Sequence, residues 1–469
     1  MKMINFSSGT APAHLKTRTR FVIFCLLAGL GAAGFAGARS RLADKGLVVH
    51  EWGTFTSVQG GDGVLVDWRP LETSKLPNFV YDWKHPGLNR QSAGSLVLGK
   101  GGMYTLQRME TPVIYFYSDE RKTVDVSVKF PKGLITEWYP QAEQIGPATT
   151  PVNPPLATLD GYAHKVGFKQ DFSFSSLLQH ATTRESRARW SRVEVLPRSQ
   201  DAQLASLLPL DRSGSHYFSA RDTEANYLQI NSRNSTNAAP ELEKFIFYRG
   251  VGNFGTPLRV TETADAVTVF NDGNVPLDHL FLLNLQNHSG QFIQMDRLAP
   301  GDHRTLKLES TTPCLPVEKL SKLLGAQMAD ALVQQGLYRR EATAMVNTWK
   351  DSWFQEDGLR VLYILPRVWT DATLPLTLAP PPGELVRVMV GRAEVITPEL
   401  ERKLSAALVK ANQGEPQARE LAALELKKLG RFAEPALRLA TRNFSSEANQ
   451  AAWVLFNKTM RPKTESAAL

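Results

Sequence analysis

Apolar positions follow three regimes along this chain. From Leu47 to about Ser235 they come in short β-branched and aromatic runs broken by Gly and Pro. Val124 to Phe130 (VDVSVKF) alternates with period two, as a strand with one buried face does, and Thr111 to Tyr117 (TPVIYFY) is strand-like throughout. Leu47 to Val58 and Val64 to Trp68, joined by Gln59-Gly60-Gly61-Asp62-Gly63, predict a β-hairpin. Gln141 to Leu156, with four prolines, predicts an irregular connection. Between Lys244 and Leu308, short strand-like runs are separated by turns at Asn271-Asp272-Gly273-Asn274 and Leu298-Ala299-Pro300-Gly301, a spacing that predicts a β-sandwich. After Cys314 the period lengthens to that of a helix. Val317 to Gln335 and Arg339 to Trp353 predict two helices, with Leu320, Leu323, Leu324, Met328 and Leu332 on one stripe. Strands over Leu359 to Leu365 and Leu385 to Val390 follow, and from Pro398 the chain reads as helices, with Ala418, Leu421, Ala422 and Leu429 on one face.

The first forty residues change the picture. Lys2, Lys16, Arg18 and Arg20 precede the uncharged run Phe21 to Ala38, which ends in the small-x-small tripeptide Ala36-Gly37-Ala38. This is the pattern of a cleaved export signal over residues 1–38. Arg39 and Arg41 just beyond it keep an uncut membrane anchor over residues 21–38 as the alternative. Export places the protein in the periplasm or outside the cell. With the leader removed, Cys314 is the sole cysteine, so neither an internal disulfide nor a cysteine-based zinc site can form; flanked by Pro313 and Pro316 it is a candidate nucleophile, with a buried, inert thiol as the plainer expectation.

The net charge of +8 does not mark a nucleic-acid binder. Four of these charges lie in the leader and four in residues 398–469, leaving the intervening residues with equal numbers of each sign. Any contact with a membrane is expected only through an uncut leader.

Candidate chemistry centres on His50-Glu51-Trp52 (HEWGTFTSV). On a strand His50 and Trp52 face one way and Glu51 the other, so the adjacent His and Glu cannot act as one pair without a bulge. Glu51-Trp52 is echoed by Glu137-Trp138. Two carboxylates beside aromatic platforms are what glycoside cleavage uses, with one as acid and the other as base or nucleophile; two strands whose tryptophans fill a core is the plainer reading. His50 as a metal ligand is a further alternative, although no HExxH or HxH spacing accompanies it. Trp349 and Trp353 lie one helical turn apart and offer a binding stripe or core. Glu110 opens a strand, facing a cleft or pairing with Arg108. Arg387 and Arg392 suggest an anion site or a pairing with Glu394. No nucleophile elbow or phosphate loop is present, and no residue pattern names a cofactor.

Two local resemblances refine the fold. LAPGDHRTLKL is similar to the turn and strand of immunoglobulin-like modules, and ARELAALELKKLGRFAEPALRLA looks like a HEAT-repeat hairpin. The fold class expected is α+β, mainly β: a β-rich domain over residues 39–240, an immunoglobulin-like sandwich over 241–312, a helix pair plus strands over 313–397, and a HEAT-like helical tail over 398–469. HEWGTFTSVQG, METPVIYFY, HYFSARDTEAN, KFIFYRGVGNF, SWFQEDGLRVLYILPR, LPLTL and RVMVGRAEVITPE together resemble a family of exported bacterial proteins with no assigned activity. That resemblance implies no catalytic residue. The expectation is an exported envelope protein acting as a binding or assembly module, with a polysaccharide or an envelope protein as partner, the latter through the C-terminal helices. A polysaccharide hydrolase using Glu51 and Glu137 is the alternative.

Overall fold

The computed structural model describes residues 44–69, 76–82, 104–146, 185–211, 214–231, 239–263, 266–307 and 313–460; residues 1–38, expected as a leader, lie outside them. Nineteen strands are present among these residues. In chain order they are β1 (Asp44–Gly60), β2 (Tyr81–Asp82), β3 (Gln107–Tyr117), β4 (Lys122–Phe130), β5 (Gly133–Tyr139), β6 (Gln144–Gly146) and β7 (Ser186–Val195). Next come β8 (Leu228–Ile230), β9 (Glu241–Glu243), β10 (Ile246–Gly252), β11 (Leu258–Thr263), β12 (Ala266–Asn271) and β13 (Leu277–Gln286). The last six are β14 (Ser289–Leu298), β15 (His303–Leu306), β16 (Leu315–Pro316), β17 (Gly358–Leu365), β18 (Leu376–Ala379) and β19 (Pro382–Ile396). The longer helices are α1 (Val317–Gln334), α2 (Arg339–Phe354), α3 (Arg367–Thr373), α4 (Pro398–Asn412), α5 (Pro416–Leu429), α6 (Ala433–Ala440) and α7 (Ser446–Met460). None is long and apolar enough to cross a membrane.

The fold is mixed α+β, mainly β, with helices at the C-terminus. Its centre is a ten-stranded sheet in the order β16-β14-β13-β17-β19-β1-β3-β10-β5-β2. β1 lies in the middle, parallel to β19 and antiparallel to β3. A six-stranded sheet (β18-β4-β7-β8-β9, with β6 on β7) and a three-stranded sheet (β11-β12-β15) complete the β structure. The run 241–312 is therefore divided: β10, β13 and β14 belong to the central sheet, whereas β11, β12 and β15 form their own. The hairpin predicted at Leu47 to Trp68 does turn, with the Val66 N–H donating to the Val58 carbonyl at 2.8 Å, but β1 takes its long pairings from β3 and β19.

The central sheet is covered on both faces, which is why β1 is buried almost throughout. Val49 and Phe55 point into one core with Val126, Val128 and Trp190 of the six-stranded sheet. Trp52 points the opposite way, into a core with Leu320, Leu324, Met328 and Trp353 of α1 and α2. The alternation expected along HEWGTFTSV holds, but each face meets a hydrophobic layer. Gly53 fits this crowding, since a Cβ there would lie 2.9 Å from the Pro112 Cα, where the β1–β3 register shifts.

A third core joins Val58, Trp68 and Ile396 to Leu404, Leu408, Ala422, Leu426 and Leu437 of α4 to α6. The Thr397 hydroxyl accepts from the Leu400 N–H at 3.1 Å and Pro398 occupies the first turn of α4, a strong start signal directly after β19. Leu421, expected on the buried face of α5, is exposed, and Leu426 fills that role. Cys314 is exposed, contrary to the expectation of a buried thiol, because the segment before α1 runs along the surface.

Candidate functional site

The residues singled out in the sequence separate into three places. Glu51 points to the six-stranded-sheet side, where its carboxylate accepts from the Tyr248 hydroxyl at 2.5 Å and from Arg387 Nε at 2.5 Å. Arg387 continues to Asp371 at 2.8 Å and to the Leu374 carbonyl at 2.7 Å, so the pair is fully engaged. Arg387 thus serves a buried carboxylate rather than an anion from outside. Glu137 binds Arg249 through both oxygens, at 2.8 and 2.9 Å. Each carboxylate has a guanidinium of its own, and both are buried with their Trp52 and Trp138 neighbours. A buried carboxylate holding a guanidinium is a structural ion pair whose charge is spoken for, the opposite of a group offered to a sugar.

His50 lies on the helix-covered side. Its Nδ1 is 2.8 Å from Glu341 Oε2, and the same carboxylate accepts from the Tyr117 hydroxyl at 2.6 Å and from the Tyr338 N–H at 2.7 Å. Glu341 thereby ties the first turn of α2 to the central strand. Among the described residues no group of three His, Cys, Asp or Glu side chains is arranged to hold a metal ion, so His50 has no co-ligands there. Trp353 is core, stacked on Trp349 with ring centroids 6.4 Å apart.

Trp349 is different, because it also lines a cleft of about 290 Å³ together with Arg108, Glu110, His216, Ser352, Glu356 and Arg431. Five parts of the fold meet here. Arg108 and Glu110 come from the start of β3, where residues two apart share a face. His216 opens a single 3₁₀ stretch, His216–Arg221. Trp349 and Ser352 are on α2, Glu356 is in the loop after it, and Arg431 sits between α5 and α6.

Charge inside the cleft wall is dense and specific. Glu110 lies 3.1 Å from Arg431 and 3.7 Å from Arg108, and accepts from the Thr56 hydroxyl at 2.9 Å. Glu356 pairs with Arg392 at 2.8 Å and with Arg431 at 3.5 Å; Glu394 pairs with Arg392 at 2.9 Å and with Arg360 at 3.1 Å. Arg392 is therefore consumed by Glu394 and Glu356. Burial raises the Glu110 carboxyl, but Arg108, Arg431 and Arg392 outweigh it and hold its pKa at about 2. Burial, reinforced by Arg249, Arg108 and Arg431 against the opposing pull of Glu110, lowers His216 to about 4, so it is neutral near pH 7. The Arg108 guanidinium, pulled down to about 10 chiefly by burial, still carries its charge.

Three donors on this wall lack acceptors. Arg108 Nε, Arg431 Nε and Trp349 Nε1 are buried and have no hydrogen-bond partner. Arg108 is only 4 % exposed, and its guanidinium forms no hydrogen bond among the described residues; its single ion pair is the 3.7 Å approach to Glu110. The His216 ring packs on Trp349 with centroids 4.8 Å apart. Both alternatives the sequence offers for Glu110, a cleft-facing carboxylate and a partner of Arg108, meet here, although β3 is an inner strand of the sheet and not an edge. His216 and Arg431 carried no local signal, because their roles arise only where distant segments meet.

Comparison with known proteins adds little. No family model matches the chain, and no curated protein matches it. Among solved structures it is similar to the yeast delta-COP-I mu-homology domain, alone (6% identity, TM-score 0.22) and complexed with a Dsl1 WxWxV peptide (7% identity, TM-score 0.22). Both comparisons cover 75% of this chain and 96% of the other, and at that TM-score neither informs the fold or the site.

Proposed function

We propose that this is an exported envelope protein that acts as a binding module, and that its ligand enters the cleft between α2, the start of β3 and Arg431. The observation that carries this reading is the nearly buried Arg108 guanidinium, which lines the cleft without a hydrogen bond while every other buried arginine around it is bonded. A buried charged donor left open is costly unless something completes it. The leader-like residues 1–38 and the resemblance to exported bacterial proteins support the location. The cleft volume lies near the lower end of the ~300–1,000 Å³ typical of small-molecule sites, which favours a small ligand over a length of polymer. A HEAT-like character of the C-terminal helices fits an assembly role, and Leu421, Leu424 and Val454 are exposed on α5 and α7 for such contacts.

The test is a thermal-shift panel of small polar, aromatic and charged compounds on residues 39–469, run beside Ser352→Trp, which fills the cleft. A ligand that binds the folded state raises the melting temperature in proportion to its occupancy. Shifts present in the parent chain and absent from Ser352→Trp support the reading. No shift from any compound class, or equal shifts in both proteins, would overturn it.

A further inference from the structure

Resting on the cleft as the ligand site, we propose that it takes a small monocarboxylate with a flat apolar body, the carboxylate bridging Arg108 and Arg431 and the body lying against Trp349.

Three independent features of the wall converge on this class. First, the unpartnered donors Arg108 Nε, Arg431 Nε and Trp349 Nε1 belong to residues of one cleft. Each buried donor without an acceptor costs about 1–3 kcal/mol, more when charged, so three around one space point to an acceptor-rich guest. A planar carboxylate offers two oxygens to the planar fork of a guanidinium and is the group that arginine recognises best by geometry.

Second, the charge count selects a single negative charge. Four guanidinium groups, Arg108, Arg360, Arg392 and Arg431, are linked by ion pairs to three carboxylates, Glu110, Glu356 and Glu394. Within this ion-paired network one positive charge is left over, and Arg108 is the group with the fewest partners; Asp351 stands outside the network, at the solvent-exposed rim. A monoanion balances it. A dianion would bring an uncompensated charge beside Glu110 and Glu356, and Asp351 at the rim, bonded to Gln355 at 2.9 Å and exposed to solvent, would oppose it further.

Third, the wall also carries an aromatic part, Trp349 with His216. The Trp349 indole, with the His216 ring inclined to it by 46° at 4.8 Å, gives the wall an aromatic lining beside the arginines, suited to a ring or another planar apolar body.

The experiment compares benzoate, its neutral isostere benzamide, and the dianionic phenylphosphonate by calorimetric titration of residues 39–469 at about pH 8. Arg108→Gln and Arg431→Gln are titrated alongside, with circular dichroism to confirm their folding. The expected result is benzoate binding at least about ten-fold tighter than benzamide and tighter than phenylphosphonate, with a loss of at least about ten-fold in either arginine variant. Benzamide binding as well as benzoate, with the Ser352→Trp block effective against both, would overturn the anion assignment and leave the cleft standing as a site. Phenylphosphonate binding tighter than benzoate would overturn the single-charge assignment. Benzoate binding that Ser352→Trp and both arginine variants leave intact, or no binding of any probe at about 20 mM, would overturn the cleft and its chemistry together. The benzoate–benzamide comparison uses the parent chain alone and stands even if an arginine variant does not fold.

Discussion

Replacing Glu51 with Gln separates the structural role of HEWGTFTSV from a catalytic one. Glu51 is fully buried and its two oxygens meet the Tyr248 hydroxyl and Arg387 Nε. Glutamine keeps the shape and one acceptor oxygen but loses the charge, leaving Arg387 with Asp371, which is half exposed, and the Leu374 carbonyl. Breaking a buried ion pair by removing one partner costs ~3–5 kcal/mol; the surviving contacts of Arg387 place the expected loss near ~3 kcal/mol. Arg387→Met should cost a similar amount. The double variant Glu51→Gln/Arg387→Met removes both charges, and its loss should fall short of the sum of the single losses by about 2 kcal/mol or more. The assay is urea unfolding of residues 39–469 followed by tryptophan fluorescence, with the slope of each transition checked for constancy. Additive losses would refute the ion-pair account. A Glu51→Gln protein that keeps its full stability yet abolishes a reducing-end release shown by the parent would refute the structural reading altogether and make the strand catalytic.

Other expectations follow from single residues. His216, lowered to about 4 mainly by burial, takes up its proton in the unfolded chain at a higher pH than in the folded one, so its stability contribution is full above about pH 6.5 and is lost as pH falls toward 4. Discounted for its partial exposure, the effect is about 2 kcal/mol, and His216→Asn should flatten the fall in unfolding free energy from urea melts between about pH 7 and 4.5 by that amount. Glu262 behaves oppositely. Burial, and Glu399 after it, raises its carboxyl to about 7, so the folded chain holds the proton more tightly and stability drops as pH rises from about 4.5 to 7. Glu262→Gln should stabilise by about 1–2 kcal/mol at about pH 8 and by little at about pH 4.5; a gain of equal size at both pH values in thermal melts would contradict this. Gly391→Ala would set a Cβ 2.3 Å from the buried Tyr363 ring, and overpacking of this kind should cost about 3 kcal/mol in denaturant melts, with Gly391→Ala/Tyr363→Leu recovering part of it.

Much of the secondary structure was legible along the chain. The period-two run of β4, the α1 stripe of Leu320, Leu324, Met328 and Leu332, and the helical start at Pro398 all appear where the local pattern puts them, whereas Leu323, expected on that stripe, is exposed. These features depend on neighbours within a few residues, and the alternation of His50 and Trp52 against Glu51 likewise follows from strand geometry alone.

The tertiary structure decided what the local pattern leaves open. β1 pairs in parallel with β19, more than 300 residues away, and this puts the charged dipeptide His50-Glu51 at the centre of a sheet covered on both faces. A strand with one exposed face would have left one of the two in water. Here each must find its partner inside the fold: Glu341 for His50, 291 positions on, and Arg387 for Glu51, 336 positions on. The same holds for the cleft, where Arg108 and Arg431 lie next to one Glu110 carboxylate only because the C-terminal helices share a core with the ends of β1 and β19. Periodicity reports how each side chain meets its immediate layer. Which charge neutralises which, and which donor is left open, depends on through-space neighbours that no spacing along the chain encodes.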